Sequence, residues 1–132
     1  MEKPYLLHLI TSEKNASPFD VNMAYDAGWT NITPYTDVEH SEIQALVQDA
    51  IFSRSTSTLT KTGIFFGGRD TNEAMDMIKE ARKHMVPPFV VSVFADPSGA
   101  FTTAAGMVAV TEKYLNNKFS QKLVGLCNIY MY

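Results

Sequence analysis

The sequence predicts an α/β fold, with a mostly parallel sheet of four or five strands and helices on both faces. Three observations carry this. Short apolar runs of strand length alternate with helix-length segments from one end of the chain to the other, an order that implies parallel strands joined by crossover helices. Helix starts and stops fall where capping residues, prolines and glycines stand. Finally, the turns Ser17–Asp20, Gly67–Asp70 and Asp96–Gly99 carry carboxylates or glycines, on the sheet edge where open α/β sheets bind ligands.

Tyr5–Ile10 (Y-L-L-H-L-I) is short and nearly all apolar, as a buried strand is. After the polar loop Thr11–Ala16, Ser17 is placed as a helix N-cap, Pro18 as the first helical residue and Asp20 in the dipole-favoured first turn. Gly28 closes that helix after Ala27. Trp29–Tyr35 is β-rich, but Pro34 donates no ladder hydrogen bond and makes the strand short or peripheral. A second helix opens at Asp37 or Glu39 and runs to about Phe52, with Val38, Ile43, Leu46, Val47, Ala50 and Ile51 mostly at helical spacing. Ser53–Lys61 reads as a Ser/Thr-rich surface loop.

Thr62–Phe66 is the next strand, and Asp70 with Glu73 resembles a capping box opening a helix over Thr71–Met85. Pro87-Pro88 stops that helix. Phe89–Ala95 reads as the best strand of the chain, Ala100–Tyr114 as the last helix, and Leu123–Tyr132 as a final strand. The seven methionines and the aromatics are expected mainly in the core.

Composition narrows the function. The 132 residues suffice for one domain, taken as 1–132, and the net charge of −3 leaves no basic footprint for nucleic acid. Cys127 is the only cysteine, so no disulfide framework is expected, which suits a cytoplasmic location. Met1–Tyr5 does not read as a leader, and no run of about 18 apolar residues exists to span a membrane. His8, His40 and His84 have no zinc-ligand spacing, so no metal is expected; His8 reads as a packed strand residue and the other two as surface residues. No Ser/His/Asp or Cys/His arrangement appears.

The candidate site residues come from the three turns. Asp96, Ser98 and Gly99, with Thr102 and Thr103 on the helix behind them, can hold a polar ligand, though the same residues also make a plain cap and turn. Gly67 and Gly68 let a ligand approach the backbone, Arg69 can pair with a carboxylate or phosphate, and Asp70 follows. This is neither a P-loop nor G-x-G-x-x-G. Phe19, Asp20, Asn22 and Tyr25 cluster on the first helix. They form either a pocket or, equally, a core phenylalanine beside a capping aspartate.

Three long segments, F-D-V-N-M-A-Y-D-A-G (Phe19–Gly28), I-F-F-G-G-R-D (Ile64–Asp70) and V-S-V-F-A-D-P-S-G-A-F-T-T-A-A (Val91–Ala105), resemble the amino-terminal domain of NAD(P)-dependent methylene-tetrahydromethanopterin dehydrogenase. A-M-D-M (Ala74–Met77) and M-V-P-P-F (Met85–Phe89) fit as well, and the resemblance runs from Met1 to about Phe119. It implies a three-layer fold similar to the amino-terminal domain of amino-acid and folate dehydrogenases, and a place in the one-carbon metabolism of methylotrophic bacteria.

It also implies hydride transfer from a methylene carbon flanked by two nitrogens to a nicotinamide. The product is a resonance-stabilised cation, so orientation and electrostatics are the main levers. Asp20 and Asp96 become candidates for favouring that charge, and Phe19 or Tyr25 for packing on the pterin ring. Tetrahydromethanopterin is the implied ligand, and a homo-oligomer is implied.

The family continues into a Rossmann-type domain with a G-T-G-P-V-G turn. Here the sequence runs Leu123–Tyr132 where the first Rossmann strand begins, without that turn. NAD(P) is therefore not expected to bind this chain alone, and dehydrogenase activity is expected to need a complementing chain. The alternatives are a stand-alone pterin carrier, a sensor, a nicotinamide-free enzyme, or a truncated remnant without function.

Overall fold

The computed structural model describes residues 3–115. The chain divides into two compact units, Met1–Ala100 and Phe101–Tyr132, each taken by itself. In the first unit the order is β1 (Leu6–Ile10), α1 (Pro18–Asp26), β2 (Asn31–Tyr35), a 3-10 turn (His40–Glu42), α2 (Ile43–Phe52), α3 (Thr56–Leu59), β3 (Thr62–Phe66), α4 (Thr71–Lys83), β4 (Ser92–Ala95) and a 3-10 turn (Pro97–Gly99). The helix α5 spans Ala100–Tyr114.

The strands form one parallel sheet in the order β2-β1-β3-β4. His8 of β1 stands opposite Thr33 of β2 and Ile64 of β3, and Phe65 stands opposite Phe94 of β4. Alternation along the strands sends successive side chains to opposite faces. Leu7, Leu9 and Phe65 pack with Ala24 of α1. Ile10, Ile64 and Phe66 pack with Ile43, Val47 and Ala50 of α2 and with Ala74, Met77, Ile78 and Ala81 of α4. The result is the expected three-layer α/β arrangement.

All five residues of β3 are buried, as a strand covered on both faces must be. The edge strand β2 is mostly exposed, which is where Pro34 is tolerated. Trp29 lies across β3: a Cβ added to Gly63 would sit 2.6 Å from its Cη2 atom.

Several local readings are corrected. Ser17 precedes α1, with Pro18 in the first turn, but its side chain makes no capping hydrogen bond. The second helix begins as a 3-10 turn, where the Glu39 amide donates to the Glu42 carboxylate at 2.8 Å. Ser53–Lys61 is not all loop, because Thr56–Leu59 forms a helical turn that buries Leu59. Asp70 caps α4 by accepting from the Asn72 and Glu73 amides at 2.8 and 3.0 Å. The Glu73 carboxylate meanwhile accepts from the Ser12 hydroxyl at 2.7 Å, rather than completing a capping box. The helix ends at Lys83, two residues before Met85.

Phe89–Ala95 is not the best strand. Only Ser92–Ala95 joins the sheet, and only through β3 among the described strands, while Phe89 bridges back to Val86. Apolarity alone did not separate that turn from the strand that follows it. Aromatics and methionines are less buried than expected: Phe19, Tyr25, Phe52, Met23 and Met75 are exposed, whereas Phe65, Phe66 and Met77 are core. His84 is partly buried against Glu80. The expected strand Leu123–Tyr132 lies outside the described residues.

Candidate ligand-binding site at the carboxyl edge of the sheet

Because the strands are parallel and in register, the turns that follow β1, β3 and β4 emerge on one edge. Thr11 follows β1, Gly67-Gly68 follows β3 and Asp96 follows β4. The first turn of α1 brings Asp20 to the same place. Its Oδ2 accepts a hydrogen bond from the Gly68 amide at 3.0 Å. The Ser98 hydroxyl donates to the Gly68 carbonyl at 3.1 Å. Side chains from α1 and from the turn after β4 thus hold the residue Gly68 at both its N–H and its C=O.

The backbone here permits few other residues. A Cβ on Gly67 would lie 2.6 Å from Asp20 Oδ2, closer than a carbon and an oxygen can pack. Gly68 has φ +118°, a conformation that glycine adopts without steric cost. Ser98 has φ 51° and ψ 28°, in the left-handed region that costs a non-glycine residue about 1 kcal/mol or more. The hydroxyl bond to Gly68 helps to hold it there.

Asp20 is 1 % exposed, and its Oδ1 has no hydrogen-bond partner. Burial pushes its carboxyl above the ordinary aspartate range. The Gly68 amide, and more weakly the Ser98 amide nearby, pull it back down, while the Asp96 charge adds a smaller push upward. The Ser98 amide makes no well-formed hydrogen bond to Oδ1. A buried carboxylate with an unanswered oxygen is costly to keep, and such groups concentrate at functional sites.

The structure joins Asp20, Gly67, Gly68 and Ser98, with Asp96 and the buried Gly99 in the same turn as Ser98. The reading of Phe19 as core and Asp20 as a helix cap is overturned: Phe19 is 48 % exposed and Asp20 faces the Gly68 amide. Asn22 is exposed, and Tyr25 is exposed near the far end of α1. Arg69 is exposed, and the carboxylate of Asp70 is engaged in capping α4. Thr102 and Thr103 are exposed on α5, in the second unit.

Thr11 was missed. It is fully buried, its hydroxyl accepts from the Glu13 amide at 3.1 Å, and a Cβ on Gly68 would approach that hydroxyl to 3.0 Å. Its position immediately after an apolar strand was the available signal. Among the described residues, no group of three or more His, Cys, Asp or Glu side chains could hold a metal ion. No helix among them is long and apolar enough to cross a membrane.

Residues 18–98, which include both ends of the Asp20–Gly68–Ser98 cluster, match the family model described as methylene-tetrahydromethanopterin dehydrogenase, N-terminal. The chain belongs to that family. It is 50 % identical, over 120 residues, to the NAD(P)-dependent methylenetetrahydromethanopterin dehydrogenase of Methylorubrum extorquens, covering 91 % of this chain and 40 % of the relative. It is 34 % identical, over 108 residues, to the Bifunctional protein MdtA of the same organism, covering 82 % of this chain and 38 % of that relative. The chain therefore spans about two fifths of the length of these curated relatives. This family membership supports a related one-carbon function.

Proposed function

We propose that this chain binds tetrahydromethanopterin, the one-carbon carrier in the relative's name, at the carboxyl edge of the sheet. The observation that supports it most is Asp20, a buried carboxylate with an unanswered oxygen behind the glycine turn. Such a group favours positive charge developing nearby without touching it, because electrostatic effects are weakly screened in a protein interior. That suits a hydride loss that leaves a cation on the pterin. Asp96 adds to the same field. The exposed ring of Phe19 in the first turn of α1 offers an apolar face to the pterin, and Gly67-Gly68 allows it close to the backbone.

In this reading the chain works in the cytoplasm as the substrate-binding part of a homo-oligomeric dehydrogenase. The NAD(P) site is supplied by the portion of the relatives' length that this chain does not span. The test is calorimetric titration with tetrahydromethanopterin, with NADP titrated in parallel. Saturable pterin binding without an NADP response is expected, weakened in Asp20→Asn and in Asp96→Asn. Unchanged affinity in both variants removes these residues from the site, and silence toward the pterin sinks the reading.

A further inference from the structure

On the sheet face opposite Asp20, a cleft of about 490 Å³ opens between β1, β2 and α2. We propose that it is a second small-molecule site, which takes a flat apolar ring bearing a cationic N–H group of the amidine or arylammonium type. His8 and Tyr35 line it, and their side chains are joined by a hydrogen bond between Nδ1 and the phenol at 3.1 Å. His8 is the one polar residue of L-L-H-L-I. Burial, and to a lesser degree the Arg54 charge, lower its pKa, so the imidazole is neutral at neutral pH. A neutral imidazole paired with a phenol has both a donor and an acceptor to offer.

Asp49 on α2 and Ser53, the C-cap residue just past its end, stand four residues apart, and both line the cleft. Leu46 and Phe52 supply apolar wall, with Phe52 held edge-on by Phe89 at 5.2 Å between ring centroids. Asp49 is the one acidic residue in the lining, and among the described residues its carboxylate has no ion pair. Arg54 lies outside the lining, with its guanidinium donating to the Lys61 and Pro4 carbonyls and the Thr62 hydroxyl. A solvent-facing carboxylate beside apolar wall, with a donor and acceptor alongside, is complementary to a cation on an apolar body.

Benzamidine is the probe, with benzoate as its charge-reversed counterpart, each titrated into the whole chain while the His8 ring signals are followed by NMR. Benzamidine is expected to shift them saturably, and benzoate is not. Asp49→Asn, at an exposed position, is expected to weaken benzamidine by about fivefold, the size of a favourable exposed ion pair. Asp26→Asn, at an exposed position on α1, is expected to leave the affinity unchanged. No saturable shift, equal binding of benzoate, an unaltered affinity in Asp49→Asn, or loss of the shift in Asp26→Asn would each overturn the proposal.

Discussion

Two carboxylates in the first unit have opposite surroundings. Asp20 is buried, takes one backbone hydrogen bond through Oδ2 and leaves Oδ1 unanswered. Glu80, on α4, is bonded to Lys83 at 2.7 Å and to His84 at 2.9 Å, with His40 at 3.6 Å. The hydrogen bonds from Lys83 and His84 hold the Glu80 carboxyl down at about 2, whereas burial drives that of Asp20 up. The Glu80 cluster makes structural sense by itself, tying the turn before α2 to the end of α4. Asp20 fixes the Gly68 amide, but its burial is not fully repaid within the described residues. That asymmetry is why the functional proposal rests on Asp20.

The hardest way to break the Asp20 side is Gly67→Ala. Its Cβ must displace a short, buried and hydrogen-bonded carboxylate. The expected loss is about 1–3 kcal/mol in urea unfolding, the usual cost of overpacking. A loss below the error of the measurement would mean that Asp20 moves freely.

Asp20 itself is sharpened by two substitutions. Asp20→Ala leaves the buried Gly68 amide without its partner and should cost about 1–3 kcal/mol. Asp20→Asn keeps an acceptor and removes the charge. Because the folded carboxyl titrates above its ordinary value of 3.8, its favourable contribution is present below that value. It is lost as pH rises through the raised folded value. Asp20→Asn should therefore be as stable as the parent or more so at pH 7, and should lack that decline with rising pH. Parallel stability–pH curves for the two proteins would show that burial costs Asp20 nothing.

The smallest effect belongs to Glu80→Gln. The Glu80 carboxyl is held below its ordinary 4.5, so its contribution is present above 4.5 and is lost as pH falls through about 2. Acid unfolding should be less steep in that window for the variant, with little change at pH 7, because partly exposed ion pairs contribute modestly. Equal acid sensitivity would make the network inert.

Much of this was legible beforehand because the signals were local. Pro18 at the start of α1, Gly28 after its end and Asp70 before α4 each act within one turn of chain, and the structure keeps all three. The alternation of strand-length and helix-length segments foretold the parallel sheet, since parallel neighbours need crossover helices. The resemblance placed the chain in its family through contiguous residues. Where two local conformations compete at similar cost, local signals misled. Phe89–Val91 is as apolar as a strand but lies in and after a turn beside Pro87-Pro88, and Thr56–Leu59 is as polar as a loop but coils to bury Leu59.

Contiguous residues carried most of the elements, the parallel order of the strands, the glycine and carboxylate turns, and the family. What Asp20 does depended on the assembled sheet. A capping aspartate and a buried one read alike along the chain, because both follow Ser-Pro-Phe at a helix start. The difference is the Gly68 amide, 48 residues away. It reaches Asp20 because β1 and β3 pair in register and deliver the turn after β3 to the first turn of α1. The Tyr35 phenol likewise finds His8 only once β2 lies beside β1. Burial and long-range hydrogen bonds are properties of the assembled sheet, so no window of sequence contains them.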